Sequence, residues 1–396
     1  MTTAELIPPR TVMEGLRSTA ILGGLFFLLG LFVAPQRAWA GYLIGFAYFT
    51  GLALAGGLFL SVLTLSGARW AATMQRIPEA MTATLPVAAL LGIGLVGGVH
   101  SLYEWSHTLT VAEDPILSAK SSYLNLGFFL IRMIVFFGLW IWLSRGMVRA
   151  LRRRDFADDR ARCRHQLISA ALFLPVFALT FSLASVDWLQ SIEPHWFSTI
   201  YALVTLSGVG CSGLAICIIL AVFLKRGPLR GIIRDEQLDD LGKVGIGFAL
   251  FWGYIWYCQY MLIWYTDLPE ETPYYVLRSQ GAWKALSSVN VLVNWAVPFF
   301  ALMPRAVRRS EVLMVRIAWV MLAGQALNLY MLVEPALMKE GPVLGLWELG
   351  PLIGALGLFF YLTLRGLSKF PLVPADDPGR AERIPHGSQP TASGLS

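Results

Sequence analysis

Residues 185–200 read SVDWLQSIEPHWFSTI. Two carboxylates (Asp187, Glu193), one histidine (His195) and two tryptophans (Trp188, Trp196) are gathered in this short stretch. Long apolar runs lie on either side of it, 167–187 before and 196–224 after. A helix rises about 1.5 Å per residue, so each run is long enough to cross a hydrocarbon layer about 30 Å thick. Acidic and indole groups crowded between two such runs fit a turn at a membrane–water interface, where tryptophan is enriched. The segment therefore predicts a helical hairpin in a membrane.

Reading outward gives eight more runs, at 18–34, 39–66, 83–103, 124–144, 244–266, 287–303, 312–332 and 346–364. They are continuous and lack period-two alternation, which excludes a β-barrel. Apolar residues make up 56% of the 396 residues and charged residues only 14%. Soluble domains carry about 25% charged residues. The expected fold is an all-α integral membrane protein with about ten transmembrane helices. Ala38-Trp39-Ala40 imitates a signal-cleavage site. The run before it exceeds the ~7–15 residues of a signal core, so it is read as a retained span. A single polytopic domain is expected over residues 1–370. The tail 371–396, rich in Pro, Gly and Ser, is expected to be disordered.

The net charge of +6 concerns topology rather than nucleic acid. Of the 31 Lys and Arg residues, 25 fall in the tails and in alternate loops that share the side of the N-terminus. The opposite loops hold five: Arg37, Lys120, Arg278, Lys284 and Lys339. Arg132 lies within a span. By the positive-inside rule both termini are expected in the cytoplasm. Gly41/Gly45, Gly94/Gly98 and Gly350/Gly354 form small-xxx-small pairs that let helices approach closely.

Ionisable residues inside apolar spans are costly, and so mark sites. His100, Tyr103, Glu104 and His107 are spaced for one helix face at the outer end of the third span. Arg132 lies about 12 Å deep in the fourth, so it needs an acceptor, either Glu104 or Asp187. Asp187 closes the fifth span, and Glu193 and His195 open the sixth. This set can border a polar cavity, contact a quinol or pass protons, or simply tie helices together. A second set is uncharged: Gln259, Asn290, Asn294, Gln325 and Asn328. Interhelical hydrogen bonding accounts for it without a ligand. Trp252, Trp256, Tyr260 and Trp264 form a stripe that reads as packing and an interfacial belt.

Five histidines and four cysteines supply neither paired intramembrane haem ligands nor any CxxC pattern. No phosphate loop, dinucleotide-binding glycine pattern or metal-ligand cluster occurs. No haem, flavin or metal is expected on this chain. Inner-half hydroxyls such as Thr64, Ser144 and Ser212 can hold water but cannot buffer protons, so only an outer half-path for protons is visible.

Residues 185–200, 251–275 (FWGYIWYCQYMLIWYTDLPEETPYY) and 294–305 (NWAVPFFALMPR) carry a resemblance. They resemble the NrfD-like family, the membrane subunits of polysulfide reductase and its relatives. Within it they are most similar to the second, shorter such subunit of bacterial alternative complex III, a quinol:electron-acceptor oxidoreductase. The resemblance implies two four-helix bundles, from spans 2–5 and 6–9, with spans 1 and 10 peripheral. It also implies a bacterial inner-membrane location and contact with menaquinone or ubiquinone. The implied partners are lipid, a longer NrfD-like subunit, an iron–sulfur subunit and c-type cytochrome subunits. A secondary transporter and a purely structural anchor are the competing readings.

Overall fold

The computed structural model describes residues 6–68, 73–154, 160–369 and 371–372. All but the first two residues of the tail 371–396 lie outside the described residues. Among those described there are helices and no strands. Among the described residues ten helices are long and apolar enough to cross a membrane, and the chain is a multi-pass membrane protein. They are α1 Arg10–Val33, α2 Pro35–Leu65, α3 Arg76–Leu102, α4 Leu126–Arg152, α5 Arg164–Ile192, α6 Tyr201–Arg226, α7 Asp235–Thr266, α8 Gly281–Leu302, α9 Glu311–Leu337 and α10 Leu346–Leu367.

Helix packing closes two rings. In the first, α2 packs on α3, α3 on α4, α4 on α5 and α5 back on α2. In the second, α6 packs on α7, α7 on α8, α8 on α9 and α9 back on α6. The seam between them is α2 against α6 and α9, and α5 against α6. This agrees with the two expected four-helix bundles. Helices α2 and α6 occupy the centre and are buried nearly all round, whereas α1 is largely exposed. A helix apolar on every face belongs in that central position.

Gly41 and Gly354, each from one of the small-xxx-small pairs, sit where helix backbones meet. A Cβ on Gly23 of α1 would lie 2.4 Å from the Cα of Gly354 of α10. One on Gly41 of α2 would lie 2.5 Å from the carbonyl oxygen of Trp347. Helices α1, α2 and α10 thus meet backbone to backbone, which only glycine permits. Helix α10 is less peripheral than expected, because Arg37 at the start of α2 pairs with its buried Glu348 at 2.5 Å.

Two spans are irregular near their polar residues. Helix α3 is built in pieces, with a turn at 83–84 and 3-10 geometry over Val96–Gly98. Helix α8 contains a π-helical turn over Leu292–Ala296. Pro298 has no N–H to give the carbonyl four residues back, and that carbonyl belongs to Asn294. Wide turns of this kind recur at functional sites.

Candidate functional site

The outer charged set does not assemble as its spacing predicts. Helix α3 ends at Leu102, Tyr103 is extended, and Glu104–Ser106 forms a separate 3-10 turn. The four residues therefore do not share a helix face. Tyr103 turns inward and donates to the Trp188 carbonyl at 2.8 Å. Glu104 is exposed. His100 and His107 are exposed and face each other, their ring centroids 5.3 Å apart. His100 bonds the Ser106 hydroxyl at 3.0 Å, and His107 bonds the His100 carbonyl at 2.9 Å.

Arg132 pairs with Asp187 and not with Glu104. Its Nε and Nη2 donate to the two carboxylate oxygens at 2.7 and 3.1 Å, and Nη1 donates to the Tyr123 carbonyl at 2.9 Å. Tyr123 and Phe128 stack on the guanidinium, at 3.8 and 4.4 Å. The pair is buried and its geometry is closed, and it lines none of the cavities described below. His100 does not bond to it.

Glu193 and His195 do not open α6, which begins at Tyr201. They lie in the irregular linker between the bundles and go separate ways. His195 Nε2 meets Asp114 Oδ2 at 2.5 Å on the surface. Glu193 Oε1 accepts from Arg278 Nη1 at 3.4 Å, which places it with the second bundle.

That second bundle holds a cavity of about 470 Å³. Its polar wall includes Gln259 of α7, Asn290 of α8 and Asn328 of α9, three residues of the predicted uncharged set. Asn294 and Gln325 continue the wall as a hydrogen-bond chain. Asn294 Nδ2 donates to Asn290 Oδ1 at 2.8 Å and to the Gly324 carbonyl at 2.8 Å. Asn290 Nδ2 donates to Asn328 Oδ1 at 3.4 Å, and Asn328 Nδ2 to Gln325 Oε1 at 3.4 Å. These residues do tie α8 to α9, as expected of amides between helices. Of these, Asn290 and Asn328 also face the cavity.

The aromatic wall comes from Trp256, Tyr260, Tyr274 and Tyr275. Trp256 and Tyr260 stack with rings 2° from parallel. They form part of the stripe read as packing. Trp252 does pack in the core, and Trp264 is exposed. Tyr275 donates to Gln259 Oε1 at 3.1 Å, and Gln259 Nε2 donates to Ser198 Oγ at 3.0 Å. Burial pushes the Tyr274 phenol up to about 12 and the Tyr275 phenol well above its usual range. Both remain neutral hydrogen-bond donors near neutral pH.

The cavity also contains Arg278, which the sequence offered only as a loop residue. It closes the short helix Pro273–Arg278 and is 5% exposed. Nε donates to the Met331 carbonyl at 3.1 Å and Nη1 to the Tyr274 carbonyl at 3.0 Å. The guanidinium sits 3.4 Å over the Tyr274 ring, which also stacks on Trp196 at 4.0 Å. Nη2 has no partner. A buried, rigidly held N–H without an acceptor is unusual and points to a missing one. The spacing of Tyr274 and Arg278 at i, i+4 was the available sequence signal.

Between the bundles is a smaller space of about 40 Å³, lined by Thr50, Thr205, Ser212, Gln325 and Asn328 among others. That is room for water. Asn328 belongs to both walls. Among the described residues, no three His, Cys, Asp or Glu side chains gather to hold a metal. The chain matches no protein-family model and no characterised protein in sequence comparisons.

Proposed function

We propose that this chain is a membrane subunit of a quinol:electron-acceptor oxidoreductase complex of the alternative complex III type. On this reading the cavity of the second bundle receives the quinone headgroup. The observation that carries the site is buried Arg278 in the cavity wall, whose Nη2 has no hydrogen-bond partner among the described residues. Apolar pockets with a few convergent polar groups are what ring-bearing ligands occupy. Trp256 and Tyr260 would pack on the ring, and Arg278 would donate to a ring oxygen. Gln259 and Asn290 would read the second oxygen or the hydroxyl proton. The two protons and two electrons of quinol oxidation leave this chain. The electrons go to iron–sulfur or cytochrome c partners, and the protons go to the nearby aqueous face. The family resemblance supports this assignment, as do the ten spans and two bundles.

The same reading puts the chain in a bacterial inner membrane, with both termini cytoplasmic. The test is purification in mild detergent, followed by identification of co-purifying chains, a visible spectrum and quinone extraction. Co-purifying c-type cytochromes, with quinone retained by wild type and lost on Arg278→Gln, are expected. A chain that purifies alone and moves a solute across vesicles would replace this reading with a transporter.

A further inference from the structure

The junction of α9, α2 and α10 contains a carboxylate with nothing to hold it. Glu334, in the last turns of α9, is 0% exposed, and neither of its carboxylate oxygens has a hydrogen-bond partner among the described residues. The groups around it are already committed. Glu348 of α10 accepts from Arg37 Nε at 2.5 Å, from Arg37 Nη2 at 3.1 Å and from the Gly345 amide at 2.8 Å. Tyr330, one turn earlier on α9, spends its hydroxyl on the Val343 carbonyl at 2.9 Å.

The charged groups facing Glu334 are Arg37 from α2 and Glu348 from α10, with Tyr330 from its own helix. One guanidinium therefore faces two carboxylates. Burying a charge without compensation is among the costliest features a fold can carry. Glu334 is enclosed by its own chain, so a partner subunit or lipid headgroup cannot supply the missing charge. The compensating species must be small.

We propose that Arg37, Glu348 and Glu334 form a proton-binding site that carries one exchangeable proton, held on Glu334. Release leaves the Glu334 carboxylate and sends the proton to water. Arg37, bound to Glu348, is then the positive charge whose field acts on both carboxylates. The site lies outside the cavity of the second bundle, and the proposal does not rest on the quinol reading.

Infrared spectroscopy of the protein in its native assembly tests this, with pH-titrated difference spectra in H₂O and D₂O. The expected result is a carboxylic-acid carbonyl band at neutral pH. It should move in D₂O, disappear in Glu334→Gln and shift in Glu334→Asp. The aspartate variant keeps the test decisive if the glutamine variant does not assemble. Wild type and Glu334→Gln with the same carbonyl band intensity at neutral pH would overturn the proposal. So would thermal stability that follows sodium concentration in wild type and loses that dependence in Glu334→Gln, because the compensating species would then be a metal cation.

Discussion

Arg132 of α4 grips the carboxylate of Asp187 of α5 through two hydrogen bonds, 2.7 and 3.1 Å, with the arginine side chain 7% and the aspartate side chain 1% exposed. Removing one partner of a buried pair typically costs about 3–5 kcal/mol, because the other charge is left behind. Arg132→Ala and Asp187→Asn should each lower the midpoint of thermal unfolding. In a cycle built from Arg132→Leu, Asp187→Leu and the two together, the double variant should lose less than the sum of its two single changes. A strictly additive double-mutant cycle would mean that the two residues do not interact.

Arg278→Gln removes a buried charge from the cavity wall, and Arg278→Lys keeps the charge but loses the planar fork. A hydrogen bond involving a charged group is worth about 1.5–3 kcal/mol, or roughly one to two decades in affinity. Titration with a short-chain quinone analogue should show that loss for the glutamine variant. The lysine variant should fall between it and wild type. Equal affinity in all three would remove Arg278 from the site.

Helix α1 docks where Gly23 meets Gly354. Gly354→Val forces a branched side chain into backbone contact. Overpacking costs typically about 1–3 kcal/mol. Cross-linking between cysteines placed at Thr19 and Gly357, which touch across the same face, should fall sharply. Undiminished cross-linking would show that α1 is held elsewhere.

A cysteine at exposed Ala112, in the segment between α3 and α4, should react with an impermeant reagent added from outside intact cells. The 25-to-5 division of basic residues supports this orientation. Labelling only after the membrane is opened would invert the topology.

At the surface, His195 holds the Asp114 carboxyl below its usual range, helped by the amides of Leu117 and Ile116. A depressed carboxylate contributes fully above its unfolded value, near about 4. That contribution is lost as pH falls through the lower folded value. Protection of the amides in the helix Pro115–Lys120, taken relative to the intrinsic exchange rate at each pH, should therefore hold down to about pH 4 and fall below it. In Asp114→Asn it should lose this pH dependence. A wild-type profile that is flat through this range would show that the contact does not hold the loop.

The sequence by itself determined ten spans and an all-α membrane fold, because hydrophobic length is a local property of the chain. The glycine pairs showed that helices could approach closely, but not which helices meet there. It also supplied Arg132 and Asp187, since a deep arginine demands an acceptor, but not the choice between Asp187 and Glu104. That choice turned on where α3 breaks. Periodicity extended the helix through His107, whereas the chain leaves helical geometry at Tyr103, so Glu104 faces water. Spacing could place Gln259, Asn290 and Asn328 on three helices. Only helix packing decided that they face a common cavity, and that Arg278, brought in by a connecting segment, lies among them. Glu334 was hidden in the same way. The apolar run ended at 332, but α9 continues to Leu337 and carries the carboxylate into the core. Apolar length is encoded residue by residue. A polar group's environment is set by neighbours distant in sequence, so only the tertiary structure fixes it.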